Sequence, residues 1–73
     1  MIRLMSQLIT VISKNIKKAR LSKNLTQLEV ASKADISVNH YAKIERGEVQ
    51  PTILTLEGIL KAIGASSRDI LPF

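Results

Sequence analysis

The sequence predicts an all-α fold of five short helices. Apolar residues recur at spacings of three and four in several segments, which is the period of an amphipathic helix. Between these segments lie Ser, Thr and Gly residues at positions where helices begin or end. No stretch alternates polar and apolar residues long enough to indicate a strand. With 73 residues, we expect residues 1–73 to form one compact domain.

The first predicted helix runs from near Ser6 to Leu21 or Ser22. Its apolar stripe recurs every three or four residues and comprises Leu8, Ile12, Ile16 and Ala19. Residues 1–10 precede the main pattern as an N-terminal extension, which we interpret as the start of this helix or as an arm that faces a partner.

Two short helices follow. Thr26 and Glu29 form a capping box, in which the hydroxyl and the carboxylate each accept from the other residue's backbone amide, so the second helix begins here and ends near Ala34. Ser37 is a suitable N-cap for a third helix over Val38 to about Arg46.

Similar signals mark the starts and ends of the helices in the rest of the chain. Gly47 stands where a left-handed cap would end the third helix. Thr52 is the expected N-cap of a fourth helix, which Gly64 ends. Residues 66–69 resemble another capping box and begin a short fifth helix, whose length Pro72 limits.

The segment Thr26–Gly47 has the pattern of a helix-turn-helix motif. Such a motif needs a small residue where its helices cross, an apolar residue in the turn and apolar anchors beneath the last helix. Ala31, Ile36 and the pair Tyr41 and Ile44 supply these. The side chains then left to face outward are those of Ser37, Val38, Asn39, His40, Lys43 and Arg46. Such short polar, amphipathic and cationic groups suit base edges and phosphates in a DNA major groove about 12 Å wide.

The charge of the chain favours a polyanionic partner. Eleven Lys and Arg residues face six Asp and Glu, which gives a net charge of +5. An acid-free cluster of these cations comprises Lys14, Lys17, Lys18, Arg20 and Lys23. A solvated helix face is the alternative interpretation of this cluster. Because Tyr41 and Phe73 are the only aromatic residues, a base-stacking single-strand binder is disfavoured and double-stranded DNA is the expected partner.

In its ordered motifs the chain resembles the Cro/CI-type (XRE-like) helix-turn-helix transcriptional regulators. The matching pieces are an Arg on the first helix, Leu-Thr-Gln, Glu-Val-Ala, Ile-Ser, Ile-Glu-Arg-Gly, Pro-Thr, Leu and Ala-Ile-Gly, between Ile16 and Leu71. The resemblance implies a compact five-helix domain of the lambda-repressor-like type. It also implies a cytoplasmic, prokaryotic or phage-encoded regulator that binds a pseudo-palindromic operator as a homodimer.

The resemblance also implies roles for individual residues. Gln27, the first residue of the second helix, matches a glutamine that helps to hold a DNA phosphate. Base-edge contacts fall on Val38, Asn39 and Lys43, with Ser37 beside them. Arg20 and Glu45 match a pair that ties the first helix to the third by a salt bridge.

Other residues have two interpretations each. His40, Arg46 and Lys23 are either phosphate contacts or solvated surface, and a role for His40 as a pH sensor carries little weight. A last apolar group either closes the monomer core or forms a dimer seam, and it comprises Ile70, Leu71 and Phe73.

The composition opposes several other functions. The chain has no Cys and one His, which excludes disulfides, thiolate metal sites and multi-histidine sites. Asp35 and His40 could be imagined as a dyad, but no nucleophile or phosphate-binding loop accompanies them, so we predict no enzyme, no cofactor and no small-molecule ligand. A membrane-surface helix over residues 12–23 conflicts with the need to bury the same apolar residues. The main alternative is an antitoxin-like protein-interaction module with accessory DNA binding.

Overall fold

Five helices make up the described part of the chain. The computed structural model describes the backbone of residues 2–73 and the side chains of residues 7–73. The helices are α1 (Ile2–Ser22), α2 (Gln27–Ala34), α3 (Val38–Glu45), α4 (Ile53–Ile63) and α5 (Ser67–Ile70). The predicted all-α fold is therefore confirmed for these residues.

The starts of α2, α3 and α4 follow from local hydrogen bonds. The Thr26 hydroxyl accepts from the Glu29 amide at 3.0 Å, and the Glu29 carboxylate accepts from the Thr26 amide at 2.8 Å. Ser37 caps α3 and Thr52 caps α4 through their hydroxyls, at 3.0 and 3.1 Å. These caps stand where the sequence placed them, because each joins residues only three positions apart.

The ends of the helices use left-handed backbone. Gly47 after α3 and Gly64 after α4 have φ of 75° and 81°. Asp35, which ends α2, has φ of 58°, a conformation that Asp tolerates better than most residues. This turn redirects the chain within three residues and brings α3 against α2.

The predicted start of α1 is wrong by four residues, because the helix begins at Ile2 and not near Ser6. Residues 2–5 are Ile, Arg, Leu and Met, which are all compatible with helix and include no Gly or Pro that would end one. From Ile2 onward, the predicted N-terminal extension is thus part of α1, while Met1 lies outside the described residues.

A single apolar cluster joins all five helices. Its fully or almost fully buried members are Ile16, Val30, Ala31, Tyr41, Ile44, Ile59, Ile63 and Ile70. Of the apolar residues predicted to face inward on α1 and α3, Ile16, Tyr41 and Ile44 belong to this buried set.

α2 packs between α3 and α4. Ala31 is buried and Ile36 of the turn packs against the core, as the motif requires. Gly58 of α4 faces Ala34, where an added Cβ would lie 3.6 Å from the Ala34 carbonyl oxygen, at ordinary van der Waals distance. Leu28, by contrast, is 62% exposed and contributes little to the core.

Candidate nucleic-acid interface

α3 is held by one face and presents the other to solvent. Tyr41, Ile44 and Glu45 are buried beneath it. The exposed side chains are those of Ser37, Val38, Asn39, His40 and Lys43. The four predicted base contacts therefore share one accessible surface, although the Ser37 hydroxyl also accepts the capping hydrogen bond from the His40 amide.

A buried hydrogen-bond network centred on one carboxylate holds α3 in place. Arg20 donates to Glu45 through Nε at 2.7 Å and through Nη2 at 3.0 Å, and its Nη1 donates to the Leu25 carbonyl at 2.8 Å. The Tyr41 hydroxyl and Gln27 Nε2 also donate to this carboxylate, at 2.5 and 3.1 Å. The salt bridge between the two residues that the family resemblance paired fixes α1 to the end of α3, and the Gln27 hydrogen bond adds the start of α2.

The network also sets the charges of its members. Burial raises the pKa of the Glu45 carboxyl, but hydrogen bonds from Arg20, Tyr41 and Gln27 outweigh it and hold the pKa below its ordinary value. The hydrogen bond to Glu45 raises the pKa of Arg20, and burial raises the pKa of Tyr41 well above its usual range. At neutral pH the ion pair is therefore charged on both sides, and the phenol is neutral.

Two further side chains of α1 anchor the fold, and sequence reasoning missed both. The Ser13 hydroxyl, which is buried, donates to the Ile44 carbonyl at 2.9 Å. Asn15 Nδ2 donates to the Ile70 carbonyl at 2.8 Å and so ties α1 to α5. For Ser13 a signal was available, because it precedes Arg20 by seven residues and so lies on the same face of the helix.

Two of the predicted phosphate contacts border one depression between α1, α2 and α3. We call it the α1 notch, and its walls include Lys14, Lys17, Gln27, Glu45 and Arg46. Gln27 has one amide hydrogen engaged with Glu45, so its second hydrogen and its carbonyl oxygen are what it can offer DNA. The structure thus brings Gln27 and Arg46 together.

The other two predicted phosphate contacts lie elsewhere. His40 is exposed on α3. Lys23 lines a separate cleft with Lys18, Gly64 and Asp69. Lys23 is therefore not grouped with the residues of the α1 notch.

The predicted dimer residues separate into two groups. Ile70 is fully buried in the monomer core, which is the first of its two predicted placements, and its side chain has no surface left to offer a second copy. Leu71 is half-buried, whereas Phe73 is 84% exposed. Both border an apolar groove of about 400 Å³, whose apolar walls are Leu8, Ile9, Ile12, Ile44, Pro51, Ile53, Leu56, Leu71 and Phe73. No charged side chain of the described residues lines this groove.

A family model described as "Helix-turn-helix" matches residues 16–71, which is most of the chain and includes α2, the turn and α3. The chain belongs to this helix-turn-helix family. The predicted family is therefore confirmed.

Relatives of the helix-turn-helix chain include a repressor protein and a control protein. The immunity repressor protein of Bacillus phage phi105 is 38% identical over 53 residues, which cover 73% of this chain. The matched region is only 37% of that repressor's length. The control protein C.BamHI of Bacillus amyloliquefaciens is 34% identical over 59 residues, covering 80% of this chain and 73% of that protein.

The fold is shared with a solved regulator–DNA complex. The restriction-modification controller protein C.Esp1396I, solved as a tetramer on its natural 35 base-pair operator, superposes with a TM-score of 0.78. Sequence identity is 36%, over 84% of this chain and 80% of that one. The expected class of DNA-binding transcriptional regulator is therefore confirmed for this helix-turn-helix chain. Within its described residues, no helix has the length and apolarity needed to span a bilayer.

Proposed function

We propose that the chain is a sequence-specific transcriptional regulator that binds a duplex operator as a homodimer and inserts α3 into the major groove. The observation that carries this proposal is the division of α3 into two faces. One face is locked by the buried Glu45 network, and the other exposes polar and cationic side chains. A rigid helix with such a surface is what base readout requires, because loosely held side chains would not discriminate between base pairs.

Base contacts are proposed for the exposed residues of α3. Asn39 can pair bidentately with adenine, and Lys43 can reach guanine O6 or N7. Val38, which is 39% exposed, can contact a thymine methyl group, with Ser37 beside it.

Phosphate contacts are proposed around this surface. Gln27 and Arg46 flank α3 at the α1 notch, and His40 is exposed on the helix itself. The Nε of Arg46 pairs with Glu48, and both side chains are about half exposed, so a phosphate can compete for this guanidinium. For Lys23 the support is its charge alone, since it lies in the other cleft. Such contacts position a protein on DNA and do not specify the sequence.

The second copy is proposed to cover the apolar groove. Ile53, Leu54 and Phe73 are 80–85% exposed at or next to it, which is unusual for large apolar residues in so small a chain. Two chains of net charge +5 repel each other at a cationic surface, whereas the groove has no charged lining. Leu71 and Phe73 are therefore the proposed dimer residues. The two α3 helices would then read half-sites about 34 Å apart, or one helical turn.

The experiment is a selection of binding sites from a random duplex pool, followed by affinity measurements on the winner and on scrambled DNA over a salt series. We expect an inverted repeat that binds at least about a thousandfold more tightly than scrambled DNA. If no sequence is enriched and binding simply fades with salt, the chain binds DNA through its charge alone, and the proposed readout by α3 is refuted.

A further inference from the structure

Two lysines of α1 supply the uncompensated charge of the α1 notch. All six Asp and Glu side chains lie among the described residues. None of them forms an ion pair with Lys14 or Lys17, whose side chains are exposed. Of the other charged groups lining the notch, Glu45 is neutralised by Arg20, and Arg46 pairs with Glu48.

The notch combines cationic and polar side chains in one recess. It encloses about 430 Å³, and a single depression collects both lysines together with Gln27 and Arg46. The buried network beneath it fixes the Gln27 side chain through its 3.1 Å hydrogen bond to Glu45. A recess with two free cations at its rim and fixed polar groups on its walls suits a phosphate oxygen better than a base edge.

Lys18 shows that this placement is not a general property of the α1 lysines. Although it is adjacent to Lys17 in the sequence, it lines the other cleft, which also contains the carboxylate of Asp69. The lysines of the acid-free cluster are thus divided by the fold between two separate surfaces, while Arg20 is buried, and only the surface with Lys14 and Lys17 adjoins Gln27 and Arg46.

We propose that the α1 notch binds a backbone phosphate of the duplex, with Lys14 and Lys17 as its cationic ligands. The DNA interface then extends from α3 across the start of α2 onto α1. This inference rests on the proposed function, because it assumes a duplex whose major groove is occupied by α3. The contact would add affinity without sequence preference.

The test compares two double variants of equal charge. Lys14→Gln/Lys17→Gln removes the notch cations, whereas Lys18→Gln/Lys61→Gln removes two lysines that do not line the notch. The proposed homodimer has two notches and therefore makes two of these phosphate contacts. For the notch variant we expect operator affinity to fall about 30-fold at 0.15 M salt, and the slope of log K against log salt to decrease by about 1.8, which is about 0.9 for each of the two contacts. The affinity of the notch variant for scrambled DNA should fall by a similar factor. The control variant should lose much less affinity for the operator and for scrambled DNA. Thermal unfolding should show that both double variants remain folded.

A chemically modified operator gives a second readout. Neutral methylphosphonates are placed one at a time along each strand. At the phosphate held in the notch, this replacement should weaken operator binding by the wild type. It should cause no further loss of operator affinity in the notch variant. Equal losses for both double variants, or no methylphosphonate position with this coupling, would overturn the inference while leaving specific operator binding intact. A wild-type chain that selects no operator would refute the proposed function and this inference with it.

Discussion

Removing the Glu45 carboxylate should destabilise the fold more than any other single charge change. The side chains of Arg20 and Glu45 are 10% and 2% exposed, and four hydrogen bonds from three residues reach this carboxylate. In Glu45→Ala the guanidinium stays in the core without its counter-charge. Breaking a buried ion pair from one side typically costs about 3–5 kcal/mol.

That cost is large against the total stability of the chain. At roughly 0.05–0.15 kcal/mol per residue, a domain of 73 residues is stable by about 4–11 kcal/mol. Glu45→Ala should therefore lower the urea midpoint severely, and at the lower end of this range the chain is largely unfolded at 25 °C. Glu45→Gln retains one acceptor oxygen for Arg20 and should show a smaller loss.

Urea unfolding followed by circular dichroism measures these effects. The double variant Arg20→Met/Glu45→Met should recover part of the loss, because an apolar pair of similar volume needs no charge compensation, although the Tyr41 hydroxyl loses its acceptor. The control is Glu48→Gln, which removes a carboxylate from an exposed pair with Arg46 and should leave the midpoint unchanged. A wild-type midpoint in Glu45→Ala, or an equal loss in the control, would refute the assignment of a stabilising network.

Three further predictions concern pH, readout and assembly. Burial raises the pKa of Glu45, but its hydrogen bonds lower it below 4.5 overall. The resulting stability is complete above pH 4.5 and lost as pH falls through the folded-state pKa, so melting temperatures should drop in acid and Glu45→Gln should flatten this profile. An equally steep acid profile in that variant would exclude Glu45 as the source. In competition binding, Asn39→Ala and Lys43→Ala should each lose about 1–3 kcal/mol of discrimination at one base pair. Gln27→Ala should instead weaken all sites alike, and equal losses at all sequences for all three variants would contradict these roles. Phe73→Asp should shift sedimentation toward monomer without changing the fold, and an unchanged dimer would exclude the apolar groove as the interface.

The features that were predicted correctly from the sequence depend on residues that are close together along the chain. Thr26 and Ser37 cap helices through residues three positions away, and Gly47 adopts positive φ at the end of its own helix. Residues 1–5 include no Ser, Thr, Asp or Asn that would mark the start of a helix in the sequence, and α1 begins at Ile2. Local chemistry thus places most helix ends but does not say how far an uncapped helix extends.

Only some of the contacts between residues distant in the sequence could be predicted. Arg20 and Glu45 are separated by 25 residues and were paired through the family resemblance, not from the spacing of charges. The hydrogen bonds of Ser13 and Asn15 span 31 and 55 residues. The helical period could place Ser13 on the same face as Arg20, but nothing local to either residue identifies its partner. The same limit applies to the lysines of α1, because an acid-free run does not reveal which members share a surface.

The placement of Ser13 links the two proposed binding surfaces. It lines both the apolar groove and the α1 notch, so the two surfaces lie side by side along α1. A second copy seated in the groove would therefore stand close to the DNA backbone held in the notch. Lys17→Gln should then reduce the slope of log K against log salt for binding to each half-site. Phe73→Asp should instead abolish the cooperativity of binding to two half-sites and leave the salt slope per protomer unchanged. If both substitutions instead reduced the salt slope, the groove and the notch would be parts of one interface with DNA.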